Sequence, residues 1–164
     1  MQKTSEDKIL LDNAVVQYQA KSYQAALPLF EQASARGSMK APRYLGLMYL
    51  NGEGVKRNPQ RAFAEFQKAA VAGDITGQYW LGHLYEQGIG TEKNTQQAIH
   101  WYTQSARVNR IDHITAPAMN ALGRCYENGI GVPVDRAQAL AWYKKVAEGG
   151  SIEAQESVKR LEEP

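Results

Sequence analysis

The sequence predicts an all-α protein, a solenoid of about four helical hairpins followed by a C-terminal capping helix. The first observation is an internal repeat: LGLMYLNGEGV, which starts at Leu45, returns as LGHLYEQGIGT from Leu81 and as LGRCYENGIGV from Leu122. The copies start 36 and 41 residues apart, a period at which each unit is one supersecondary element stacked on its neighbours. The second is a constant distance of 13 residues from the tyrosine of each copy to an alanine, at Ala62, Ala98 and Ala139. Two helices joined by a loop of fixed length explain this spacing.

The first helix of each unit carries an apolar face with a glycine in it. In the earliest close copy, Leu45, Gly46 and Tyr49 fall at i, i+1 and i+4. Because a glycine inside a helix costs about 1 kcal/mol relative to alanine, close packing must offset it. We therefore expect a neighbouring helix to approach closely at Gly46 and at its equivalents, Gly82 and Gly123.

Each first helix ends in Gly-x-Gly, at Gly52/Gly54, Gly88/Gly90 and Gly129/Gly131. Phosphate-binding loops are also rich in glycine, but they precede a helix and include Lys-Ser/Thr, which is missing here. The motif instead fits the left-handed helix cap that glycine adopts at low cost.

The remaining units follow from the same register. Tyr18 and the segment from Tyr23 to Phe30 form a first hairpin with a shorter loop, and Ile152 to Leu161 forms the cap. The predicted units span about 8–38, 39–74, 75–115 and 116–150, with the cap at 151–162, in one domain, 1–164. Five extra residues place an insertion within 107–115, which is either a tolerated surface loop or a recognition loop.

These residues resemble the Sel-one-like repeat, a relative of the tetratricopeptide repeat. Its units look like A-x3-LG-x2-Y-x2-G-x-GV followed by A-x2-WY-x-KAA-x2-G, and the likeness covers Ala41 to Gly150. The paired aromatic position holds Trp101-Tyr102 and Trp142-Tyr143, but Glu65-Phe66 in the second unit. The resemblance implies a right-handed superhelix whose first helices line a concave face, used as an adaptor surface for proteins or peptides. It also implies bacterial relatives, many of them envelope or secreted proteins.

Composition excludes several classes of function. Nineteen basic and seventeen acidic residues give a net charge of +2, too balanced for a dedicated nucleic-acid binder. No apolar run approaches the roughly 20 residues of a membrane span. The start of the chain lacks a signal-peptide layout, but a removed signal is also consistent with it, so the compartment stays open, with a periplasmic or secreted location slightly favoured over the cytoplasm. We expect a monomer or weak self-association.

We expect no catalysis, metal or cofactor. The three histidines, His83, His100 and His113, lie in different segments without zinc-ligand spacing. Cys125 takes the apolar slot before the tyrosine, so core packing is favoured over a nucleophile. Glu86 and Glu127 are equivalent in adjacent units and could form a carboxylate pair, but solvated helix ends are the favoured interpretation.

A strip of variable residues remains on the first helices, at positions two before, two after and five after each repeat leucine. Because structural positions repeat and these do not, we expect a partner-binding surface, although solvated helix faces vary as well. Charge reversal of Arg43 and Arg124 together should then weaken binding without unfolding the protein. The predicted strip consists of Arg43, Leu47, Leu50, Tyr79, His83, Glu86, Asn120, Arg124 and Glu127.

The predicted function is a non-catalytic adaptor or scaffold that binds a protein or peptide on this strip. Two alternatives stay open. One is an immunity or inhibitor protein that neutralises a toxic enzyme. The other is binding or hydrolysis of cell-wall glycan through tyrosine, histidine and paired carboxylates.

Overall fold

A computed structural model describes residues 4–107 and 110–164. Residues 1–3, and residues 108 and 109 of the predicted insertion, lie outside this range. The described residues form nine helices in sequential hairpins and no strand, which confirms the all-α fold class. The helices are α1 Ser5–Gln19, α2 Tyr23–Ala35, α3 Ala41–Asn51, α4 Pro59–Val71, α5 Ile75–Gln87, α6 Thr95–Ala106, α7 Ala116–Asn128, α8 Arg136–Glu148 and α9 Ile152–Glu162.

The chain divides into two compact units. Unit 1 comprises Met1–Gly77 and Ile89–Thr91, and unit 2 comprises Gln78–Gly88 and Glu92–Pro164. In unit 1 the helices α1, α2 and α3 enclose a core around Phe30, whose ring stacks on that of Tyr44 with centroids 4.6 Å apart. In unit 2 the core lies among α6, α7 and α8, and its buried members include Ala98, Tyr102, Leu122, Cys125 and Val146.

The glycine inside each first helix touches an aromatic ring of the second helix, as expected. A Cβ placed on Gly46 would lie 2.8 Å from the Phe66 ring, and one on Gly123 would lie 2.7 Å from the Tyr143 ring. Gly82 meets the Tyr102 ring in the same way. Such distances are too short for real Cβ atoms, so the absence of a side chain sets how closely the two helices pack.

The Gly-x-Gly motifs are helix caps, which confirms that interpretation. Gly52 and Gly129 end α3 and α7 in the left-handed conformation, with φ of 69° and 70°. The second glycine of the motif, also at positive φ, packs on the start of the preceding second helix. A Cβ on Gly90 would overlap the Pro59 carbonyl, and one on Gly131 would overlap the Thr95 carbonyl. Each motif therefore ends one helix and holds its loop against the preceding repeat.

The second helices of the three closely matching repeats, α4, α6 and α8, begin at a side-chain cap. Asn58, Asn94 and Asp135 each accept a hydrogen bond from the backbone N–H three residues later, at 3.0 to 3.1 Å. Asn and Asp are among the best residues for this position, since the side-chain oxygen satisfies an N–H that has no partner within the helix. The loop from Gly-x-Gly to this cap has the same length in all three repeats.

The predicted capping helix is confirmed as α9. Ser151 caps its N-terminus through a hydrogen bond from the Ala154 N–H, 3.2 Å long, and Leu161 is buried near its end. The Arg136 guanidinium donates to the backbone carbonyls of Leu161 and Glu163. A side chain of α8 thus satisfies carbonyls that the end of α9 leaves without helical partners.

The described part of the insertion is a tight turn before α7. The Asp112 carboxylate accepts hydrogen bonds from the N–H groups of Ile114 and Thr115, and the buried Thr115 hydroxyl donates to the Arg110 carbonyl, 2.8 Å away. These bonds hold the chain where it enters α7.

Candidate functional site

All nine residues of the predicted strip are at least partly buried from solvent. Eight are half-buried, and Glu86 is buried, with 4% of its surface exposed. Three lie in unit 1, on α3, and six lie in unit 2, on α5 and α7. The interpretation of Glu86 as a solvated helix end is therefore wrong.

In unit 1 the arginine of the strip belongs to an ion pair. Arg43 Nε lies 3.1 Å from Asp74 Oδ2, and Asp74 also accepts a 2.8 Å hydrogen bond from the Gly77 N–H. Asp74 is 5% exposed. Its burial raises the pKa of the carboxyl above the ordinary aspartate value, although the charge of Arg43 and the Gly77 hydrogen bond act in the opposite direction.

In unit 2 the buried Glu86 carboxylate accepts hydrogen bonds from two different helices. Arg124 Nη1 and Nη2 lie 2.7 Å from Oε2 and Oε1, a two-point ion pair, and the Tyr102 hydroxyl donates to Oε1 at 2.8 Å. Burial favours the neutral acid, but the hydrogen bonds from Arg124 and Tyr102 and the Arg124 charge outweigh it. The pKa of Glu86 is consequently below its ordinary value.

The next repeat builds the same arrangement. The Tyr143 hydroxyl donates to Glu127 Oε2 at 3.0 Å, and Arg160 of α9 pairs with Oε1 of the same carboxylate. The Arg160 hydrogen bond is the leading cause that lowers the pKa of Glu127, against a smaller opposing effect of burial. We call each set of one glutamate, one tyrosine and one arginine a trio. In both trios the tyrosine follows the glutamate by 16 residues. The arginine follows the glutamate by 33 residues in the later trio, and by 38 residues in the earlier one, where the insertion lies between them.

The trios explain part of the variation along the strip. In each trio the glutamate stands five residues after the leucine of its repeat. The arginine that it binds stands two residues after the position equivalent to that leucine in the next repeat. In the second repeat the glutamate position holds Leu50 and the tyrosine position holds Phe66. A tyrosine hydroxyl is thus present in the repeats that have a glutamate to accept its hydrogen bond, and it is absent in the repeat that has a leucine instead.

The hydrogen bonds of Glu86 and Glu127 argue against a catalytic role for these two carboxylates. Each carboxylate has its own arginine and tyrosine, and the lowered pKa of each keeps it ionised at neutral pH. An ionised carboxylate has no proton to donate as a general acid, and the oxygens with which it could act as a general base already accept hydrogen bonds from arginine and tyrosine. The arrangement fits inter-helix attachment better than acid-base chemistry.

The same contacts change the expectation for charge reversal. An acidic residue in place of Arg43 or Arg124 would face a buried carboxylate that has lost its counter-charge. Such a variant should lose stability along with any binding, so the expectation that the double reversal leaves the fold intact is not supported.

Three strip residues of unit 2 line an open cleft of about 420 Å³. Tyr79 comes from α5, Asn120 and Arg124 come from α7 together with two further lining residues, and α8 and α9 supply the other three. Sequence analysis missed the contribution of α9, because that helix was interpreted as a cap alone. The complete lining is Tyr79, Pro117, Asn120, Ala121, Arg124, Tyr143, Glu153 and Ser157.

Several polar groups of this lining make no hydrogen bond within the part of the chain that is described. They are the side chains of Tyr79, Asn120, Glu153 and Ser157. A concave site with a few converging polar groups is the usual form of a recognition site. The cleft is therefore the best candidate binding site in unit 2.

Two other chemical groups of unit 2 have perturbed pKa values. Burial lowers the pKa of His83 below the ordinary histidine value, so its imidazole is neutral at neutral pH. Cys125 is fully buried, which confirms its place in the core, and this burial raises the pKa of its thiol to about 11. Within residues 4–107 and 110–164, no three His, Cys, Asp or Glu side chains are grouped as metal ligands. None of the described helices combines the length and apolar character needed to cross a bilayer.

Helical hairpins repeated in register, with glycine caps and a polar cleft on the first helices, define a helical-repeat protein. The family model of the Sel1 repeat matches residues 41–74, 75–109 and 116–151. The chain belongs to the Sel1 repeat family, a class that typically mediates protein interactions and is generally non-catalytic. No functionally curated protein matches the chain.

Solved structures of bacterial proteins share the fold. A Sel1 repeat protein from Oxalobacter formigenes is 32% identical with a TM-score of 0.80, over 89% of this chain and 58% of that one. A protective antigen present in uropathogenic Escherichia coli strains, with an SLR fold, is 30% identical with a TM-score of 0.82, over 90% of this chain and 32% of that one. Cysteine-rich protein B of Helicobacter pylori shares the fold at 22% identity, with a TM-score of 0.60 over 81% and 92%. The chain thus spans 58% and 32% of the length of the first two relatives.

Proposed function

We propose that this protein is a non-catalytic binding module that holds an extended segment of a partner protein in the cleft of unit 2. The observation that carries the proposal is the set of polar side chains on α5, α7 and α9 that converge on this cleft and make no side-chain hydrogen bond with any described residue. The protein-interaction role typical of Sel1 repeats supports the same function.

The surrounding packing suits this role. Arg124 lines the cleft, and its two bonds to Glu86 fix the guanidinium in place, while Glu86 is itself held by Tyr102. A side chain that is already ordered loses little conformational entropy when a partner binds. Each Arg124 Nη carries two hydrogens, so one on each nitrogen remains for an acceptor of the partner, such as a main-chain carbonyl.

The test is affinity capture with the purified protein as bait, followed by mass spectrometry. Asn120→Arg should fill the cleft without breaking any hydrogen bond of the described residues, since Asn120 makes none there. The matched control is Asn13→Arg, at an exposed position of α1. We expect a protein retained by wild type and by Asn13→Arg to be lost with Asn120→Arg.

Thermal melting shows whether Asn120→Arg keeps the fold, and Ser157→Arg on α9 provides a second way to block the cleft. A partner that stays bound to both folded variants would contradict the proposal. Retention of peptidoglycan in place of any protein would favour the glycan alternative. An enzyme captured through the cleft and inactive in the complex would identify the inhibitor form of the proposed function.

A further inference from the structure

The two formal charges that line the cleft of unit 2 have opposite signs and lie on different helices. Arg124 reaches from α7 toward α5, where its guanidinium binds Glu86 at 2.7 Å. Glu153 lies on α9, the helix whose Arg160 pairs with Glu127 of α7. Since α7 makes one ion pair with α5 and another with α9, the cleft has a positive wall at α5 and α7 and a negative wall at α9.

The positive wall presents hydrogen-bond donors. The exposed fraction of the side chain is 41% for Arg124 and 4% for Glu86, so the guanidinium and not the carboxylate faces the cleft. Burial raises the pKa of the Tyr79 hydroxyl above the ordinary tyrosine value, and the charge of Arg124 opposes this rise more strongly than that of Glu86 adds to it. Tyr79 and the spare N–H groups of Arg124 can therefore donate to an acceptor in the cleft.

The negative wall presents an acceptor. Glu153 is exposed and belongs to no ion pair among the described residues. It lies in the first turn of α9, where the helix N-terminus offsets part of its charge. The side-chain amide of Asn120 on α7 adds both a donor and an acceptor. An ion of either sign would be attracted by one wall and repelled by the other, whereas a neutral group that both donates and accepts fits the two together.

We propose that the cleft binds the main chain of the partner segment and does not select a charged side chain. A peptide group has the required character, since its C=O accepts a hydrogen bond and its N–H donates one. Carbonyl groups of the segment would accept from Arg124 and Tyr79, and its N–H groups would donate to Glu153 and to the amide oxygen of Asn120. This inference rests on the proposed function and names the part of the segment that the cleft recognises.

The apolar part of the lining supports a main-chain ligand. Its aliphatic members are Pro117 and Ala121, which are both small. They offer little surface to a large aromatic anchor of the kind that dominates many protein interfaces. Peptide groups, in contrast, recur about every 3.3 Å along any extended segment, whatever its side chains.

The probes are peptides of the form acetyl-Gly-Ala-X-Ala-Gly-amide with alanine, glutamate or lysine at X, and the alanine peptide N-methylated at its three alanines. Each is titrated into the full-length protein while the backbone amides of Asn120 and Ser157 are followed by NMR. We expect the three unmethylated peptides to bind with affinities within about twofold of one another. The N-methylated peptide should bind about three- to tenfold more weakly, because its alanines have lost the N–H groups that donate hydrogen bonds.

A variant of the negative wall tests the balance of charge. Glu153→Gln keeps an acceptor oxygen but removes the negative charge that balances Arg124. We expect the alanine peptide to retain its affinity, and the glutamate peptide to bind about two- to fivefold more tightly than the lysine peptide. Glu31→Gln, exposed on α2, should leave the three affinities equal.

Three results would overturn the inference: no saturable shift with any peptide, equal affinity of the N-methylated peptide, or a clear preference of the wild-type protein for one charged peptide. If one of them is found while Asn120→Arg still loses the captured partner, main-chain recognition is refuted and the proposed function stands. If the peptides bind as expected but the partner stays on both Asn120→Arg and Ser157→Arg, the proposed function fails instead.

Discussion

Arg124 of α7 binds both carboxylate oxygens of Glu86 on α5, with two hydrogen bonds of 2.7 Å each. The pair joins the first helices of two successive repeats within unit 2, and Tyr102 adds a bond from the second helix between them. Glu127, Tyr143 and Arg160 repeat the arrangement one step further along the chain. Polar contacts in fixed register thus accompany the apolar packing of this unit.

Removal of Arg124 should cost more stability than removal of an ordinary surface cation. Arg124→Ala leaves the Glu86 charge buried without its partner, and we expect a loss of about 1–3 kcal/mol, below the range of a fully buried pair because the arginine is partly exposed. Urea unfolding followed by circular dichroism measures the change. Lys159→Ala, at an exposed position of α9, should shift the midpoint little. Equal effects of the two variants would show that the ion pair contributes no stability.

An apolar replacement of the whole trio should be tolerated better than loss of one member. The second repeat holds Leu50 and Phe66 at the glutamate and tyrosine positions. We expect Glu86→Leu, Tyr102→Phe and Arg124→Leu combined to unfold at higher urea concentration than Arg124→Ala alone, because no unpaired charge remains. If the triple variant is the less stable of the two, the trio is not interchangeable with its apolar counterpart.

Acid should weaken the fold partly through Glu86. The pKa of Glu86 in the folded protein lies below its value in the unfolded chain, which is about 4.3. Its contribution to the free energy of unfolding is therefore complete above the unfolded pKa and is lost as the pH falls through the folded pKa. Asp74 has the opposite sign, since its raised pKa makes the folded state bind its proton more tightly. We expect Glu86→Gln to reduce the dependence of stability on pH in the acidic range, measured as urea midpoints, and Glu31→Gln to retain it. A wild-type pH profile in Glu86→Gln would contradict this assignment.

The fold was predictable because its determinants are local and repeated. Leucine, glycine and tyrosine spacing predicted the helices, and Gly-x-Gly predicted the left-handed caps at Gly52 and Gly129. After α8 the glycine at positive φ is Gly150, in phase with Gly73 after α4.

The site was less predictable because its contacts join residues far apart in sequence. The insertion before α7 shifts the arginine partner from 33 to 38 residues after the glutamate, which hides the equivalence of the two pairs. A signal was nevertheless present, since tyrosine follows glutamate by 16 residues and phenylalanine follows Leu50 by the same distance. The contribution of α9 to the cleft depends on helix packing, and no motif in the sequence marks it.

Glycines at positive φ serve two purposes, since some only allow the left-handed backbone and others also leave room for a neighbouring chain segment. Substitutions should distinguish the two. Gly37 and Gly131 both have positive φ, but a Cβ at Gly37 would meet no atom within 4 Å, whereas one at Gly131 would overlap the Thr95 carbonyl. Gly37→Ala should therefore cost about 1–2 kcal/mol from backbone strain alone, and Gly131→Ala should cost clearly more. Thermal or urea unfolding of the two variants compares them. Equal losses would mean that the contact with Thr95 adjusts without cost.

Cys125 should be inert in the native protein. It is fully buried, and burial raises the pKa of its thiol to about 11, so little thiolate forms at mildly alkaline pH. We expect Ellman's reagent to label it slowly in buffer and rapidly in urea. Rapid stoichiometric labelling of the folded protein would contradict its place in the core.

Hydrogen–deuterium exchange of the protein with its captured partner tests the central proposal most directly. The account predicts slower exchange on binding in peptides that cover Asn120 to Arg124 on α7 and Glu153 to Ser157 on α9, and little change in α1. Protection confined to residues 110–115 would place the partner at the insertion, and protection restricted to unit 1 would likewise contradict a binding site in the cleft of unit 2.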